Sequence, residues 1–131
     1  MLPAGSRLHT SEEFAAVVRL GRRSASPRLV VHLLIENSAG GSDRSARVGF
    51  VVSGKVGNAV VRHRVTRRLR AQVRAHLADL PPGTDLVVRA MPSASSATSA
   101  ELGTDLRTAL NGALRKARNA RGQVRPVGAV K

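Results

Sequence analysis

The sequence of 131 residues contains no cysteine, no tryptophan and no tyrosine, and phenylalanine occurs only twice. A chain without cysteine has no disulfide and offers no thiolate ligand to a metal ion. No apolar run approaches the roughly 20 residues that span a bilayer, and residues 1–10 lack the apolar core of a signal peptide. We therefore expect a cytoplasmic protein that does not enter the membrane.

Acidic residues are also scarce, because eight carboxylates stand against 22 lysines and arginines and give a formal net charge of +14. Between Asp43 and Asp79 there is no acidic residue at all, whereas the same stretch carries nine basic ones. A solvated helix surface usually interleaves acids and bases at four-residue spacing, and here no acid is present to form such pairs. The imbalance predicts a polyanionic partner, above all a nucleic acid.

Most of this basic stretch has the periodicity of a helix over residues 58–78. At about 100° per residue, five apolar side chains share one broad arc and five arginines share the opposite one. The apolar positions are Val61, Val65, Leu69, Val73 and Leu77, and the arginines are Arg64, Arg67, Arg68, Arg70 and Arg74. Because each guanidinium donates two parallel hydrogen bonds to phosphate oxygens, this arc is suited to following a nucleic-acid backbone.

The turn before this helix contains Gly57 and Asn58. Glycine suits a tight strand-to-helix turn, and asparagine is a preferred N-cap residue. The free amides at such a helix start attract phosphate. The sequence leaves open whether this turn binds an anion or serves only the fold.

Two further helices are marked by capping boxes, in which a threonine is followed three residues later by glutamate. Thr10 and Glu13 predict a helix from about Ser11 to Leu20, and Thr98 with Glu101 predicts another over about residues 99–117. Between the helices, β-branched runs predict strands at residues 29–35, 47–53 and 85–91, the first two as an antiparallel pair. In the strand at 47–53, alternate side chains should face opposite sides of the sheet.

The resulting order is α-β-β-α-β-α, which predicts an α+β fold of two layers with helices packed on one small mixed sheet. We expect a single domain over residues 1–118, followed by a basic tail, residues 119–131, that is disordered. The loop at 37–42 and the segment at 93–99 lack periodicity and are predicted to be irregular.

No catalytic constellation is evident. Glu12, Glu13 and Glu101 fall in first helical turns, and Asp43, Asp79 and Asp85 fall at predicted loops or turns. The carboxylates do not suggest the converging cluster that metal-assisted phosphodiester hydrolysis needs. The four histidines have no helical metal-binding spacing, and no Gly-x-Ser-x-Gly motif occurs. The sequence therefore predicts neither a catalytic residue nor a metal ligand on the protein.

Residues 47–70 closely resemble the protein subunit of bacterial ribonuclease P. The resemblance is carried by Arg47-Val48-Gly49-Phe50-Val51-Val52-Ser53, by Lys55-Val56-Gly57-Asn58-Ala59-Val60-Val61, and by arginine at positions 62, 64, 67 and 70 of the following helix. It extends outward to roughly residues 7–117 through Ser11-Glu12-Glu13-Phe14 and Leu80-Pro81-Pro82-Gly83.

This resemblance implies a partnership with one catalytic RNA, which removes the 5′ leader of precursor tRNA using Mg²⁺ bound mainly by the RNA. It also implies a left-handed β-α-β crossover around the arginine-rich helix. The positions expected to bind RNA come partly from the family motif and partly from the helical projection. They are Lys55, Asn58, Arg62, His63, Arg64, Arg67, Arg68, Arg70 and Arg74. A cleft between the first helix and the sheet, with Phe14, Val18 and His32, would hold the leader.

The chain departs from the family pattern at several positions. His63 stands where the family usually has asparagine, Thr66 where it usually has lysine, and Gly54 where a second lysine often occurs. Val18 and His32 stand where aromatic residues are common, so leader bases should stack less strongly here. For Phe14 and Phe50, packing in the protein interior is the competing interpretation.

Two other functions are compatible with the charge pattern. A non-catalytic RNA- or DNA-binding module, such as a ribosome-associated protein, would use the same arginines. A protein-only nuclease would in addition need a metal site, for which the sequence gives no pattern.

Overall fold

The computed structural model describes residues 7–35 and 45–120. These residues form three α-helices, four β-strands and two short 3-10 helices. The α-helices are α1 (Ser11–Leu20), α2 (Ala59–Arg74) and α3 (Ser99–Ala120), the strands are β1 (Arg22–Ala25), β2 (Leu29–Ile35), β3 (Arg47–Val51) and β4 (Thr84–Ala90), and the 3-10 helices span Leu77–Asp79 and Pro92–Ser96.

The four strands form one mixed sheet in the order β1-β2-β4-β3. β2 is antiparallel to both β1 and β4, while β3 and β4 are parallel and α2 connects them. The mixed sheet and the β-α-β connection agree with the sequence prediction. The predicted antiparallel pair of β2 and β3 is wrong, because β4 lies between them. Residues 84–88 of β4 are buried on both faces, which suits a central strand.

β1 was not predicted from the sequence. Its residues, Arg-Arg-Ser-Ala, show no apolar alternation, and it is an edge strand whose one neighbour among the described strands is β2. Only Ser24 of this strand is buried, and its Oγ lies 2.5 Å from where a Cβ on Gly112 of α3 would stand. Backbone pairing, one small side chain and a hydrogen bond from Lys116 Nζ of α3 to Arg23 O at 2.7 Å hold this strand in place. None of these contacts leaves a hydrophobic pattern in the sequence.

Several helix boundaries in the structure differ from those predicted from the sequence. α2 ends at Arg74, and the chain continues in a 3-10 turn instead of a helix to residue 78. The segment at 93–99, predicted to be irregular, begins with the 3-10 helix Pro92–Ser96. α3 continues to Ala120, beyond the predicted domain end at 118. The loop at 37–42 and the tail from residue 121 lie outside the described residues.

Helices cover both faces of the sheet, but the hydrophobic cores on the two faces differ in size. α2 and α3 pack on one face and enclose the main core, to which β2, β3 and β4 contribute Leu29, Val31, Leu33, Val48, Leu86 and Val88. α1 packs on the opposite face, here called the α1 face, over a smaller cluster formed by Leu8, Val17 and Val87. Val48 and Phe50 pack in the main core and Val51 on the α1 face, as the alternation along β3 predicted.

Both capping boxes are present. The Glu13 amide donates to Thr10 Oγ1 at 3.1 Å, and the carboxylate of Glu13 accepts from the amides of Thr10 and His9 at 3.0 and 2.7 Å. At α3, the Glu101 amide donates to Thr98 Oγ1 at 3.1 Å, and the Thr98 amide donates to Glu101 at 2.8 Å. Each box satisfies amides that the first helical turn leaves without partners.

These caps predict a loss of stability in acid. The amides of His9 and Thr10, aided by Arg47, lower the pKa of Glu13 from 4.5 to about 2. A carboxylate whose pKa is lower in the folded than in the unfolded state stabilises the fold above the unfolded value, and this contribution is lost as the pH falls from 4.5 towards 2. The backbone amide of Thr98 lowers the pKa of Glu101 in the same direction.

Urea unfolding at a series of pH values measures this effect. We expect Glu13→Gln to flatten the dependence of unfolding free energy on pH between 4.5 and 2. Glu12→Gln, which removes the neighbouring exposed carboxylate, serves as the control and should keep the wild-type slope. A Glu13→Gln variant with an unchanged slope would contradict the assignment.

Candidate RNA interface

The interface is built around α2, which follows β3 through a short turn. Asn58 is its N-cap, and its Oδ1 accepts from the Val61 amide at 3.0 Å, as the sequence predicted. Val65, Leu69 and Val73 are fully buried and fix the rotation of the helix against the main core. The basic side chains are thereby divided into three rows along the helix.

The outward row is formed by His63, Arg67 and Arg74, all of which are exposed. No acidic residue lies in the first turn of α2, and Arg74 lies in its last turn. A backbone that follows this row would meet nitrogen-bearing side chains along the helix at spacings of about one or two helical turns. Of the five arginines predicted to share the outward arc, Arg67 and Arg74 lie in this row.

The second row, Arg64 and Arg68, does not point outward as the sequence predicted. Both side chains are half-buried and donate to the backbone at the 3-10 helix: Arg64 Nη2 to Ser95 O at 3.2 Å, and Arg68 Nη1 to Ala97 O at 2.6 Å. The helical projection placed them with the outward arginines because it carries no information about the segment that packs beside α2. These two residues anchor that segment to the helix.

The third row, Arg62, Thr66 and Arg70, runs along another side of α2 at four-residue spacing, so Arg70 does not lie in the outward row as the sequence predicted. Thr66 and Arg70 line a groove of about 330 Å³ together with Arg7 and Phe14. Arg62 is half-buried, and its Nε is fully buried without a hydrogen-bond partner. Arg62 thus lies off the outward row, as its position in the sequence indicated. Thr66, at one of the departures from the family pattern, donates its hydroxyl to Arg62 O at 2.8 Å.

Lys55 lies in the turn between β3 and α2 and is exposed. It lines a second groove, of about 340 Å³, with Ser53, Arg89 and Met91. Gly54, the other departure in this turn, has no heavy atom within 4 Å of where its Cβ would stand. A lysine at that position would therefore meet no steric obstacle.

The predicted leader-cleft residues lie on the α1 face, away from the outward row of α2. Phe14 is half-buried, and a Cβ on Gly49 would overlap its Cζ atom. The ring therefore rests directly on the backbone of β3. Phe14 is thus packed against the sheet while part of its side chain stays exposed. Val18 is 38% exposed on α1. Phe50 packs against the main core, in agreement with the packing interpretation, and also lines the groove beside Phe14.

His32 lies on β2 beneath this face and is only 7% exposed. Its Nδ1 is buried without a hydrogen-bond partner. Burial lowers the pKa of His32, and the charges of Arg89 and Arg23 lower it further. His32 therefore favours the neutral form in the free protein.

The contact between Gly49 and Phe14 yields a prediction. Gly49→Ala would force the Phe14 ring off the strand, since the added methyl group overlaps it. We expect a loss of about 1–3 kcal/mol in the free energy of unfolding, together with a shift of the Phe14 ring resonances in NMR spectra.

Gly54→Ala is the matched control, because its methyl group would stand in open space. This variant should unfold within about 0.5 kcal/mol of the wild type. Equal stabilities for the two variants would show that the ring does not rest on Gly49.

Four carboxylates of the described residues are held by two arginines away from the outward row of α2. Arg47 forms a two-point pair with Asp85, at 2.9 Å for both hydrogen bonds, and a third bond to Glu13 at 2.8 Å. Arg28, at the turn before β2, bonds Asp105 at 3.0 Å and Glu101 at 3.3 Å. These pairs join distant parts of the chain and leave the α2 surface cationic.

Sequence reasoning missed the pair of Arg47 and Asp85, which are 38 residues apart. Asp85 was predicted as the first residue of a strand, close to a turn, and it is the second residue of β4, opposite Arg47 of β3. The available signal was a charged residue at the start of each apolar strand. Predicting the ion pair from it would have required knowing that these two strands are parallel and in which register they pair. Arg23 and Arg89, which flank His32, were also missed.

Within residues 7–35 and 45–120, no group of three histidine, aspartate or glutamate side chains is arranged to hold a metal ion. In the same part of the chain, no helix is both long and apolar enough to cross a membrane. The described residues thus form no ready metal site. Their guanidinium, ammonium and backbone N–H groups can instead donate hydrogen bonds to phosphate.

Comparisons with known proteins identify the family of this chain. Residues 2–114 match the family described as Ribonuclease P. The chain is 51% identical over 112 residues to the ribonuclease P protein component of Mycobacterium sp. (strain KMS), covering 84% of this chain and 91% of that protein. It is 50% identical over 114 residues to the corresponding protein of Streptomyces avermitilis, covering 84% of this chain and 93% of the relative.

Among solved structures, the RNase P protein of Staphylococcus aureus superposes with a TM-score of 0.71 at 25% identity. The match covers 82% of this chain and 94% of the other. Fold, sequence and family match thus point to one assignment. The chain belongs to the family of bacterial ribonuclease P protein subunits.

Proposed function

We propose that this chain binds the catalytic RNA of ribonuclease P through α2 and holds the 5′ leader of precursor tRNA on the α1 face, so that the leader is removed. The observation that carries the proposal is the outward row of α2, which is exposed and has no acid in the helix. Arg70, Lys55 and the amides at Asn58 extend this surface at its edges.

Protein side chains contribute positioning and charge neutralisation in this proposal, and the RNA carries the hydrolysis. Mg²⁺, when bound by the RNA, supplies the activated water and stabilises the leaving oxygen. The arginine rows of α2 lower the repulsion between RNA phosphates as the two RNAs meet. We expect one protein per catalytic RNA, in the cytoplasm.

Phe14 and Val18 are the apolar part of the proposed leader surface. One aromatic ring stacked on a base contributes about 1–3 kcal/mol, and Val18 offers no ring. The surface therefore relies on a single stacking position and on cations around it. Val18 and His32 replace aromatic residues that are common in the family. They change how this surface would contact the leader bases more than where the surface lies.

The test is cleavage of precursor tRNA at low Mg²⁺ by protein alone, by catalytic RNA alone and by both together. We expect the protein to accelerate cleavage only when the RNA is present. Binding without acceleration would instead indicate a non-catalytic RNA-binding module. Metal-dependent cleavage by RNA-free protein would indicate a nuclease. Either result would overturn the proposal.

A further inference from the structure

The outer surface of α3 carries a second series of cationic side chains. The outer row of α3, as we call it here, consists of Arg107, Asn111, Arg115 and Arg118, all of which are exposed. At about 100° per residue, these four side chains fall within an arc of about 80°. Since each residue adds about 1.5 Å of rise, the row is about 16 Å long. α3 therefore presents three guanidiniums along one side.

The opposite side of α3 is buried and fixes the rotation of the helix. It contributes five apolar side chains to the main core, namely Leu102, Leu106, Ala109, Ala113 and Ala117. The outer row therefore points away from the sheet.

The charge of this row is not balanced within the described fold. No acidic residue follows Asp105 in the sequence, whereas seven basic ones do. The two carboxylates of α3, those of Glu101 and Asp105, are both held by Arg28. No carboxylate of residues 7–35 or 45–120 pairs with an arginine of the outer row. A helix surface that is merely solvated usually carries acids four residues from its bases, and none occurs at that spacing here.

The helix dipole accounts for only part of this pattern. Cations stabilise the last turn of a helix, and the effect falls off within that turn. Arg118 lies in the last turn of α3, but Arg107 lies 13 residues before its end. Arg115 and Arg118 are three residues apart, so they are neighbours on the helix surface and repel each other. The free protein therefore bears a repulsion that a bound polyanion would relieve.

The side chains of this surface suit an RNA duplex. Aromatic side chains, which grip unpaired bases by stacking, are absent from α3. Arginines instead bind backbone phosphates without regard to base identity. Thr104, Thr108 and Asn111 are exposed beside or within the row and offer uncharged hydrogen-bonding groups. Double-helical RNA is recognised mainly through its phosphates and its ribose 2′-hydroxyls, which these groups can contact.

The outer row lies apart from both surfaces assigned above. α2 and α3 are joined near the start of α3, where Gln72 Nε2 donates to Ser99 Oγ at 2.9 Å. Arg107 lies eight residues after Ser99, so the row begins about 12 Å further along the helix. α3 also packs on the sheet face opposite the α1 face. An RNA on the outer row is therefore neither the leader on the α1 face nor the segment held by the outward row of α2.

We propose that the outer row of α3 binds a second double-helical segment of the catalytic RNA, distinct from the segment that α2 contacts. This inference rests on the proposed function. The catalytic RNA is the partner chosen because α2, on the same side of the sheet, already holds that RNA, whereas the substrate leader lies on the opposite face. With α2 and α3 each holding one segment, the protein would fix the relative position of two parts of the same RNA.

The first test measures binding of the full chain to the catalytic RNA without substrate. The variant Arg107→Gln/Arg115→Gln/Arg118→Gln should bind about tenfold to hundredfold more weakly, since it lacks three charge-assisted contacts. The slope of log affinity against log salt should fall by about 2 to 3, because each neutralised phosphate contributes about 0.7 to 0.9. Circular dichroism and urea unfolding verify that the variant folds.

Two controls separate the row from net charge. Arg107→Lys/Arg115→Lys/Arg118→Lys keeps all three charges in place and should retain most of the salt slope. Arg19→Gln removes an exposed arginine of α1, on the other face of the sheet, and should change the slope little. A triple Arg→Gln variant with the affinity and slope of Arg19→Gln would overturn the proposal.

The second test maps the RNA that lies beside the row. Because the chain has no cysteine, Thr108→Cys provides a single attachment point for an iron chelate that cleaves nearby RNA by hydroxyl radicals. Val60→Cys places the same label on α2, where Val60 is 73% exposed. In the complex with catalytic RNA and precursor tRNA, the two labels should cleave different segments of the catalytic RNA. The label on Thr108→Cys should cleave both strands of one helix.

Three cleavage patterns would overturn the proposal. Cleavage of the precursor tRNA alone by the label on Thr108→Cys would assign the row to the substrate. Cleavage of the same segment by both labels would make the row an edge of the α2 interface. A label on Thr108→Cys that cleaves no RNA would leave the row without an RNA partner. If the wild-type protein neither binds the catalytic RNA nor accelerates cleavage, the proposed function itself has failed. A wild type that does both, combined with any of these patterns, rejects the second segment alone.

Discussion

Replacing Arg47 with methionine is expected to lower the free energy of unfolding by about 2–4 kcal/mol. The substitution leaves the carboxylates of Asp85 and Glu13 without their shared cation. The side chain of Asp85 is only 12% exposed, so its charge would remain poorly solvated, while partial exposure of Glu13 reduces the penalty below that of a fully buried group. Urea unfolding monitored by circular dichroism measures the change.

Two further variants identify the cause of this loss. Arg47→Lys keeps the charge but cannot make the two-point bond, so it should lose roughly half as much stability. Arg22→Met removes an exposed arginine from the edge strand β1 and should lose less than about 0.5 kcal/mol. If Arg47→Met were as stable as Arg22→Met, the network would contribute nothing to the fold.

The second large effect concerns RNA affinity. Arg67→Gln combined with Arg70→Gln should weaken binding of the catalytic RNA by about tenfold to hundredfold, since each removes a charge-assisted contact. The slope of log affinity against log salt should fall by about 1.4 to 1.8 for the two contacts. Arg67 is exposed and Arg70 lines the groove beside Phe14, so neither change disturbs the main core.

Arg68→Gln is the matched control on the same helix. Because Arg68 donates to Ala97 O from a half-buried position, its removal should cost about 1 kcal/mol of stability and leave the salt slope of RNA binding unchanged. A salt slope that falls equally for Arg68→Gln and Arg67→Gln would contradict the division of α2 into separate rows.

Sequence patterns were sufficient where local chemistry determines structure. The capping boxes at Thr10 and Thr98, the cap at Asn58 and the alternation along β3 all depend on residues within a few positions of one another. Helical periodicity likewise identified the buried face of α2. The pairing of strands depends on the whole sheet, and the preference for sequential neighbours wrongly paired β2 with β3.

The candidate site was likewise predictable only where it depends on local sequence or on the family resemblance. The scarcity of acid and the spacing of arginines revealed the cationic helix, and the resemblance supplied a cleft. Whether a given arginine faces solvent or a backbone carbonyl depends on the segment packed beside it, as Arg64 and Arg68 show. Arg23 escaped notice because its strand has no hydrophobic pattern, and Arg89 because it interrupts an apolar strand whose register was unknown.

The position of β4 has a consequence for synthesis of the chain. β2 and β3 share no hydrogen bonds, and each pairs with β4, which is the last of the described strands in the sequence. The sheet is therefore incomplete until residues 84–90 have left the ribosome, after α2 has emerged. Closing it requires contacts between distant residues, which slows folding. A nascent chain thus presents its cationic helix before it has a fold, and an early encounter with RNA would meet an unfolded partner.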